Sequence, residues 1–232
     1  MNEDAVFQRT AALLGTEAVK KLQALHVLVL GVGGVGGYAA EQLCRAGIGT
    51  LTLMDGDRVD PTNLNRQIAA LRSTAGRFKA EVLAERFRDI NPAATFIPEV
   101  SFLKAGESTA LLSRGFDLVI DAIDDVPAKV DFLKTAVESH IPVVSSMGAG
   151  GKRDLSQIRC ADISKTFGDP LARKVRSELR NLGVKHGIQC VFSPEERCQA
   201  AGSRVIGTIS YLPAVFGCFA AAAALELLLS DN

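Results

Sequence analysis

Over the first 150 residues, short runs of β-branched and leucine residues alternate with stretches whose apolar positions recur at helical spacing. The runs HVLVLG (26–31), TLTLMD (50–55), ATFIPEV (94–100), DLVIDAI (117–123) and PVVSSM (142–147) predict strands, and the stretches between them predict helices near 36–46, 76–90, 106–114 and 127–139. That alternation is the pattern of a parallel sheet wrapped by helices. After a Gly-rich break at 147–151 the character changes. A strand is expected near 157–163, a basic helix near 170–181, a short strand at 189–193 and an apolar helix at the end of the chain. The predicted fold is α/β, a Rossmann-like, doubly wound, mainly parallel sheet with a smaller C-terminal strand and helix extension packed on it. No repeat or low-complexity linker divides the chain. Residues 1–232 are therefore read as one unit, with a nucleotide-binding part at about 20–150 and a substrate or interface part at about 151–232.

Composition narrows this picture. Of 232 residues, 47% are hydrophobic and 22% charged, which is enough apolar material for one substantial core. Lys plus Arg equals Asp plus Glu at 26 each, so a nucleic acid or anionic membrane partner has to meet a local patch rather than a global excess of charge. The run Leu212–Leu229 carries a single charge, Glu226, over a length that approaches a membrane span. It is dominated by alanine and has no basic or aromatic belt at its C-terminal side, so it is read as a buried or subunit-interface helix. The five cysteines form no CxxC pair that a structural zinc site would need, and MNEDAVFQRT lacks the basic-then-apolar order of a secretory signal. Both features point to the reducing cytoplasm.

Gly31-Val-Gly-Gly-Val-Gly36 follows a strand and opens a helix, which is the context for a phosphate-binding turn: glycines let backbone N–H groups approach an anion, and the helix N-terminus adds partial positive charge. Asp55 closes the next strand, where a carboxylate accepts hydrogen bonds from ribose hydroxyls. Gly31, Gly33, Gly34, Gly36 and Asp55 would serve a nicotinamide dehydrogenase equally well. The following residues favour different chemistry: Asn63 and Arg66 in TNLNRQ, Lys79 in GRFKAE, and Asp124 at the end of the strand that begins at Asp117. A carboxylate attacking an α-phosphate is an anion approaching a polyanion. Such a site needs cations at the phosphates, for which Arg66 and Lys79 are suited, and a ligand for Mg2+, for which Asp124 is suited.

The ordered set GVGGVG, LMDGD, TNLNRQ, a helical lysine and DAIDD resembles the adenylation core shared by ubiquitin-activating enzymes and the ThiF-type adenylyltransferases of sulfur-carrier proteins. The resemblance implies ATP and Mg2+ as cofactors. It places Gly33, Asn63, Arg66 and Lys79 at the phosphates, Asp55 at the ribose with Asp57 as a neighbour, and Asp124 at magnesium. The second half, GAGGKRDLSQIRCADISKTFGDPLARKVRSELR followed by GIQCVFSPE, is similar to the tRNA threonylcarbamoyladenosine dehydratases. That likeness implies adenylation of a threonyl carboxylate beside the anticodon, then ring closure by the neighbouring carbamoyl group. Its implied partners are tRNA, a second copy of the chain and a sulfur-relay protein. The alternative is activation of the C-terminus of a ubiquitin-like or sulfur-carrier protein, against which the missing zinc pairs weigh.

Residues 152–185 hold nine Lys/Arg against four acids, a local excess suited to RNA, with Lys152, Arg153, Lys165, Arg173, Lys174, Arg176 and Arg180 as candidate contacts. Arg173, Arg176 and Arg180 fall on one helix stripe, and Phe167, Phe192 and Tyr211 are candidates for base stacking. Arg9 is the one arginine in the N-terminal stretch FQRTAALLG, where the superfamily often places a residue reaching the partner subunit's site. Cys190 in CVFS reads as a buried structural thiol. The loop Ser193–Ser203, which would help cover the substrate, is short.

Overall fold

Strand β1 (His26–Leu30) has no polar face: Val27 to Leu30 are all buried. Side chains along a strand point alternately to the two faces of a sheet, so both faces must be covered. The same holds for β2 (Thr50–Met54) and β4 (Leu118–Asp121), and two apolar layers result. Val27, Val29, Leu51, Leu53, Leu118 and Ile120 belong to one layer, and Leu28, Leu30, Met54 and Val119 to the other.

These assignments come from a computed structural model that describes residues 6–198, 200, 202 and 205–230. Its seven strands form one sheet in the order β3-β2-β1-β4-β5-β7-β6, with β3 at Thr95–Glu99, β5 at Val143–Ser146, β6 at Arg159–Asp162 and β7 at Gln189–Phe192. All neighbours are parallel except β6, which runs antiparallel to β7 with Arg159 opposite Phe192. The C-terminal extension thus continues the sheet. The chain order of the first strands reverses between β1 and β4, which opens a crevice beyond their carboxyl ends.

The helices are α1 (Gln8–Leu14), α2 (Thr16–Gln23), α3 (Gly36–Ala46), α4 (Lys79–Ile90), α5 (Ser108–Leu112), α6 (Val126–Glu138), α7 (Pro170–Asn181) and α8 (Tyr211–Leu229). Helices α3, α4 and α8 cover one face, and α5, α6 and α7 the other. Asp125 and Asp169 start α6 and α7, each accepting from the backbone N–H three residues on (Ala128 and Ala172) and thereby satisfying an otherwise unpaired donor.

Helix α8 accounts for the long apolar run. Leu212, Phe216, Ala220, Ala221, Ala224 and Leu228 bury one side against α3 and the sheet, while Cys218, Phe219, Ala222, Glu226 and Leu227 stay exposed. Small residues are needed where α8 meets α3. A Cβ on Gly217 would sit 2.6 Å from the Val35 carbonyl oxygen and 2.8 Å from the Tyr38 Cβ. Gly217→Ala is therefore expected to cost about 1–3 kcal/mol of unfolding free energy in urea, the usual cost of overpacking. Ala222→Ser on the exposed side of the same helix should leave the urea midpoint unchanged.

Candidate active site

One large cavity, of about 1280 Å³, lies across the carboxyl ends of the parallel strands. Gly31, Gly33 and Gly34 after β1, Asp55 and Asp57 after β2, Asp124 and Asp125 after β4, and Met147 to Gly150 after β5 all line it, with Arg66, Gln67 and Lys79 from the segment that follows Asp57.

The glycine turn has two kinds of glycine. Gly31 takes a φ of +81, and a Cβ there would lie 2.9 Å from the Ala122 carbonyl oxygen; a Cβ on Gly36 would lie 1.8 Å from the Gly31 oxygen. These two are required by the chain's own packing. Gly36 does not border the cavity; its missing side chain lets α3 start hard against the turn. Gly33 is different, because nothing lies closer than 3.6 Å to where its Cβ would be. The N–H groups of Gly33 and Gly34 have no acceptor among the described residues, and both residues border the cavity. Two free donors at the start of a helix form a cradle for an anion.

Asp55 fixes this cradle. One of its oxygens accepts from the Val32 N–H at 2.9 Å and the other from the Asp57 N–H at 2.8 Å. Burial pushes its carboxyl above the usual value, opposed by these two N–H groups and by nearby Lys79. Asp57 in turn accepts from Lys79 Nζ at 2.7 Å. Lys79, the first residue of α4, is buried, borders the cavity and is held by a half-exposed acid. Arg66 is anchored by one nitrogen on the Thr62 carbonyl and the Asn65 side chain, both at 2.9 Å. Asp124 stands exposed on the cavity wall with no hydrogen bond or ion pair among the described residues.

Asn63 stands behind the cavity wall, in the turn that carries Arg66. It is buried and does not border the cavity; its side-chain oxygen accepts from the Asp60 N–H at 3.1 Å while Asp60 accepts from the Thr62 N–H, a reciprocal cap that shapes the turn carrying Arg66. Gln67, Phe102, Lys104 and Arg197 border the cavity without having been expected there. Gln67 stands inside the string TNLNRQ, which offered a signal. Arg197 arrives from the loop Ser193–Ser203, which was expected to cover the substrate, but no local pattern singled the residue out.

Two of the seven residues of the expected basic patch are committed elsewhere. Lys152 is buried, paired with Asp169 at 2.5 Å and donating to the Ser193 carbonyl at 2.6 Å, so it cannot meet RNA. Arg176 is spent on the backbone and side-chain oxygens of Thr166. Arg153, Lys165, Arg173, Lys174 and Arg180 are exposed. Phe192 is buried under Phe167, which is itself exposed, and Tyr211 donates to the Arg153 carbonyl at 3.1 Å. Cys190 is fully buried, and that burial pushes its thiol far up, which is the behaviour of a structural cysteine. Arg9 is exposed on α1.

With this geometry in place, comparison with known proteins is informative. The ThiF family matches residues 7–232. The chain belongs to that family. Among relatives of this ThiF-family chain, the tRNA threonylcarbamoyladenosine dehydratase of Bacillus subtilis is 43% identical over 189 residues, covering 82% of this chain and 74% of the relative. Crystal structures of the Escherichia coli enzyme TcdA, a tRNA N6-threonylcarbamoyladenosine dehydratase, superpose with a TM-score of 0.93 at 40% identity in complex with AMP and 0.91 at 39% in complex with ATP. Each match covers 97% of this chain and 94% of the TcdA chain.

The raised pKa of Asp55 has a measurable consequence. A carboxyl whose folded value exceeds its unfolded value contributes stability that is full below the unfolded value and is lost as pH rises through the folded one. The unfolding free energy of the wild type minus that of Asp55→Asn should therefore fall as pH is raised from about 3 through the carboxylate range, and then level off. A difference that rises with pH would show that the charged form is favoured in the folded state.

Proposed function

We propose that this ThiF-family protein uses ATP to adenylate the threonyl carboxylate of threonylcarbamoyladenosine next to the anticodon of tRNA, so that the neighbouring carbamoyl group closes a ring and the nucleoside is dehydrated. The observation that carries this reading is the convergence, on one cavity, of a glycine cradle with free N–H donors, the cations Arg66 and Lys79, and the unpaired carboxylate of Asp124. The names and nucleotide complexes of the relatives support it.

Each group has a task in this scheme. Asp55 accepts ribose hydroxyls with the lone pairs left over from its two backbone bonds. The N–H groups of Gly33 and Gly34 and the side chains of Arg66 and Lys79 hold the phosphates and offset the repulsion between them and the incoming carboxylate. The carboxylate oxygen forms a bond to the α-phosphorus and pyrophosphate departs. The carbamoyl group, already tethered to the activated carbonyl, then displaces AMP, a step that proximity alone accelerates greatly. No protein nucleophile is used, in keeping with the buried state of Cys190.

Magnesium fits the site in one way. No group of three or more acidic, histidine or cysteine side chains suited to a metal occurs among the described residues. Mg2+ commonly takes one or two carboxylates and completes its shell with water and substrate phosphates, so Asp124 would hold it together with the nucleotide. Bound there, it would neutralise charge on the departing pyrophosphate.

The proposal extends to the whole chain. Residues 1–232 act as one adenylation unit in the cytoplasm, working as a homodimer, with the nucleotide on the part at about 20–150. The exposed Arg153, Lys165, Arg173, Lys174 and Arg180 lead the tRNA towards the cavity.

AMP release from ATP tests the reading. It should require tRNA carrying threonylcarbamoyladenosine, and release with a sulfur-carrier protein alone would overturn the proposal. Arg66→Ala and Lys79→Ala should each slow adenylation by ~100-fold or more, the scale of losing one preorganised charge-stabilising group; full activity in either would show the phosphates to lie elsewhere. Exchanging both Arg173 and Arg180 for alanine should reduce the slope of log K for tRNA against log salt by about 2, near one unit for each phosphate contact removed.

A further inference from the structure

Sheet order sorts the cavity from end to end. β3 and β2 bring Phe102 and Asp55 to one end, β1 brings the glycine turn to the middle, β4 brings Asp124 next, and β5 with the segment after β7 brings Gly148, Ala149, Gly150 and Arg197 to the other end. Neighbouring strands lie ~4.8 Å apart, so β2 and β5 are separated by roughly 15 Å. A nucleoside at Asp55 with its phosphates on the glycine turn leaves the β5 end for the group that attacks the α-phosphate.

Arg197 stands at that end, and the backbone holds its stem there. Its Cβ and Cγ lie 3.3 and 3.2 Å from where a Gly151 side chain would start, and a terminal guanidinium nitrogen lies 3.8 Å from the same point at Gly148. Gly151 has a φ of +76, a conformation that side chains disfavour, so the close approach is built around glycine. Two backbone bonds fasten the crossing: Cys198 N–H to the Gly151 oxygen at 2.6 Å, and Gly151 N–H to the Gly207 oxygen at 2.8 Å. The Asp169 carboxylate is 3.5 Å from the Gly148 point but is already taken by Lys152 and the Ala172 N–H. Arg197 has no hydrogen bond or ion pair among the described residues. Among the described residues this cation has no counter-ion, and it stands where the chemistry delivers an anion.

We propose that Arg197 is the residue that receives the carboxylate of the acyl substrate and gives the site its preference for the threonylcarbamoylated nucleoside; this rests on the function proposed above. One carboxylate oxygen sits in the guanidinium fork, and the other is turned towards the α-phosphorus. The new O–P bond forms as the bond to pyrophosphate breaks. When the carbamoyl group attacks the carbonyl carbon, the C–O bond to AMP breaks, AMP leaves with the electron pair, and the N–H proton passes to the departing phosphate or to water. The retained oxygen stays beside Arg197 throughout.

The test compares wild type, Arg197→Ala and Arg197→Lys. In Arg197→Ala, kcat/KM for tRNA carrying threonylcarbamoyladenosine should fall ~100-fold, affinity for Mg·ATP should stay within about twofold, and the preference for modified over unmodified tRNA in direct binding should disappear. The lysine variant should recover part of the loss, since it keeps the charge and loses the fork. Equal weakening towards modified and unmodified tRNA would assign Arg197 to the RNA backbone and overturn the proposal, as would an alanine variant within threefold of wild type. If the wild type itself releases no AMP with modified tRNA, the proposed function fails, which is a different result from either of these.

Discussion

The site depends on where the Asp55 carboxylate is held. One of its oxygens pins the glycine turn through Val32 and the other pins the start of the next segment through Asp57, whose own carboxylate fixes Lys79. Three pieces of chain that leave β1, β2 and the start of α4 are thereby set in one geometry before any ligand arrives. Burial opposes ionisation of this carboxyl, and the N–H groups and Lys79 oppose that effect. The arrangement is therefore preorganised at some cost to the fold, as expected of a group whose remaining lone pairs are kept for a ligand.

Two buried ion pairs set the other half of the cavity. Lys129 on α6 meets Asp121 at 2.7 Å and donates to the Ile123 and Ser146 carbonyls, while Ser145 donates to Asp121 at 2.6 Å. The ends of β4 and β5 are tied together there, just before Asp124 and Gly148 emerge. Lys152 and Asp169 do the same for the C-terminal part, linking the Gly-rich segment, the start of α7 and the end of β7. Buried pairs add little net stability compared with apolar packing, but removing one partner leaves an uncompensated charge, so such pairs enforce a single arrangement. Lys129 and Lys152 are in this way parts of the scaffold, although Lys152 was expected to meet RNA.

What the sequence disclosed follows from the physics of each signal. Strand and helix positions were legible where the pattern is strong: β1, β2 and β4 are buried on both faces, α7 alternates Ala172, Val175 and Leu179 with charge, and α8 was legible by its length of apolar residues rather than by a period. The glycine turn, Asp55 and Asp124 were marked by the strand ends beside them, whereas Arg66 and Lys79 lie 12 and 25 residues beyond the end of β2 and were marked only by the strings TNLNRQ and GRFKAE. The capping role of Asn63 left no local mark, nor did the pairing of Lys152 with Asp169 or of Arg176 with Thr166, which are tertiary events. Arg197 was not singled out within the loop Ser193–Ser203, because only the crossing of two remote segments at Gly151 brings its side chain to the cavity.

The central claim is that the crevice is built for a triphosphate and a carboxylate rather than for a dinucleotide hydride carrier, which a glycine turn followed by an acid would also suit. Titration calorimetry of the intact chain with Mg·ATP and, separately, with NADH tests this most directly. Saturable heat with Mg·ATP and none with NADH is the predicted result. Tight association with NADH and no affinity for Mg·ATP would contradict the account.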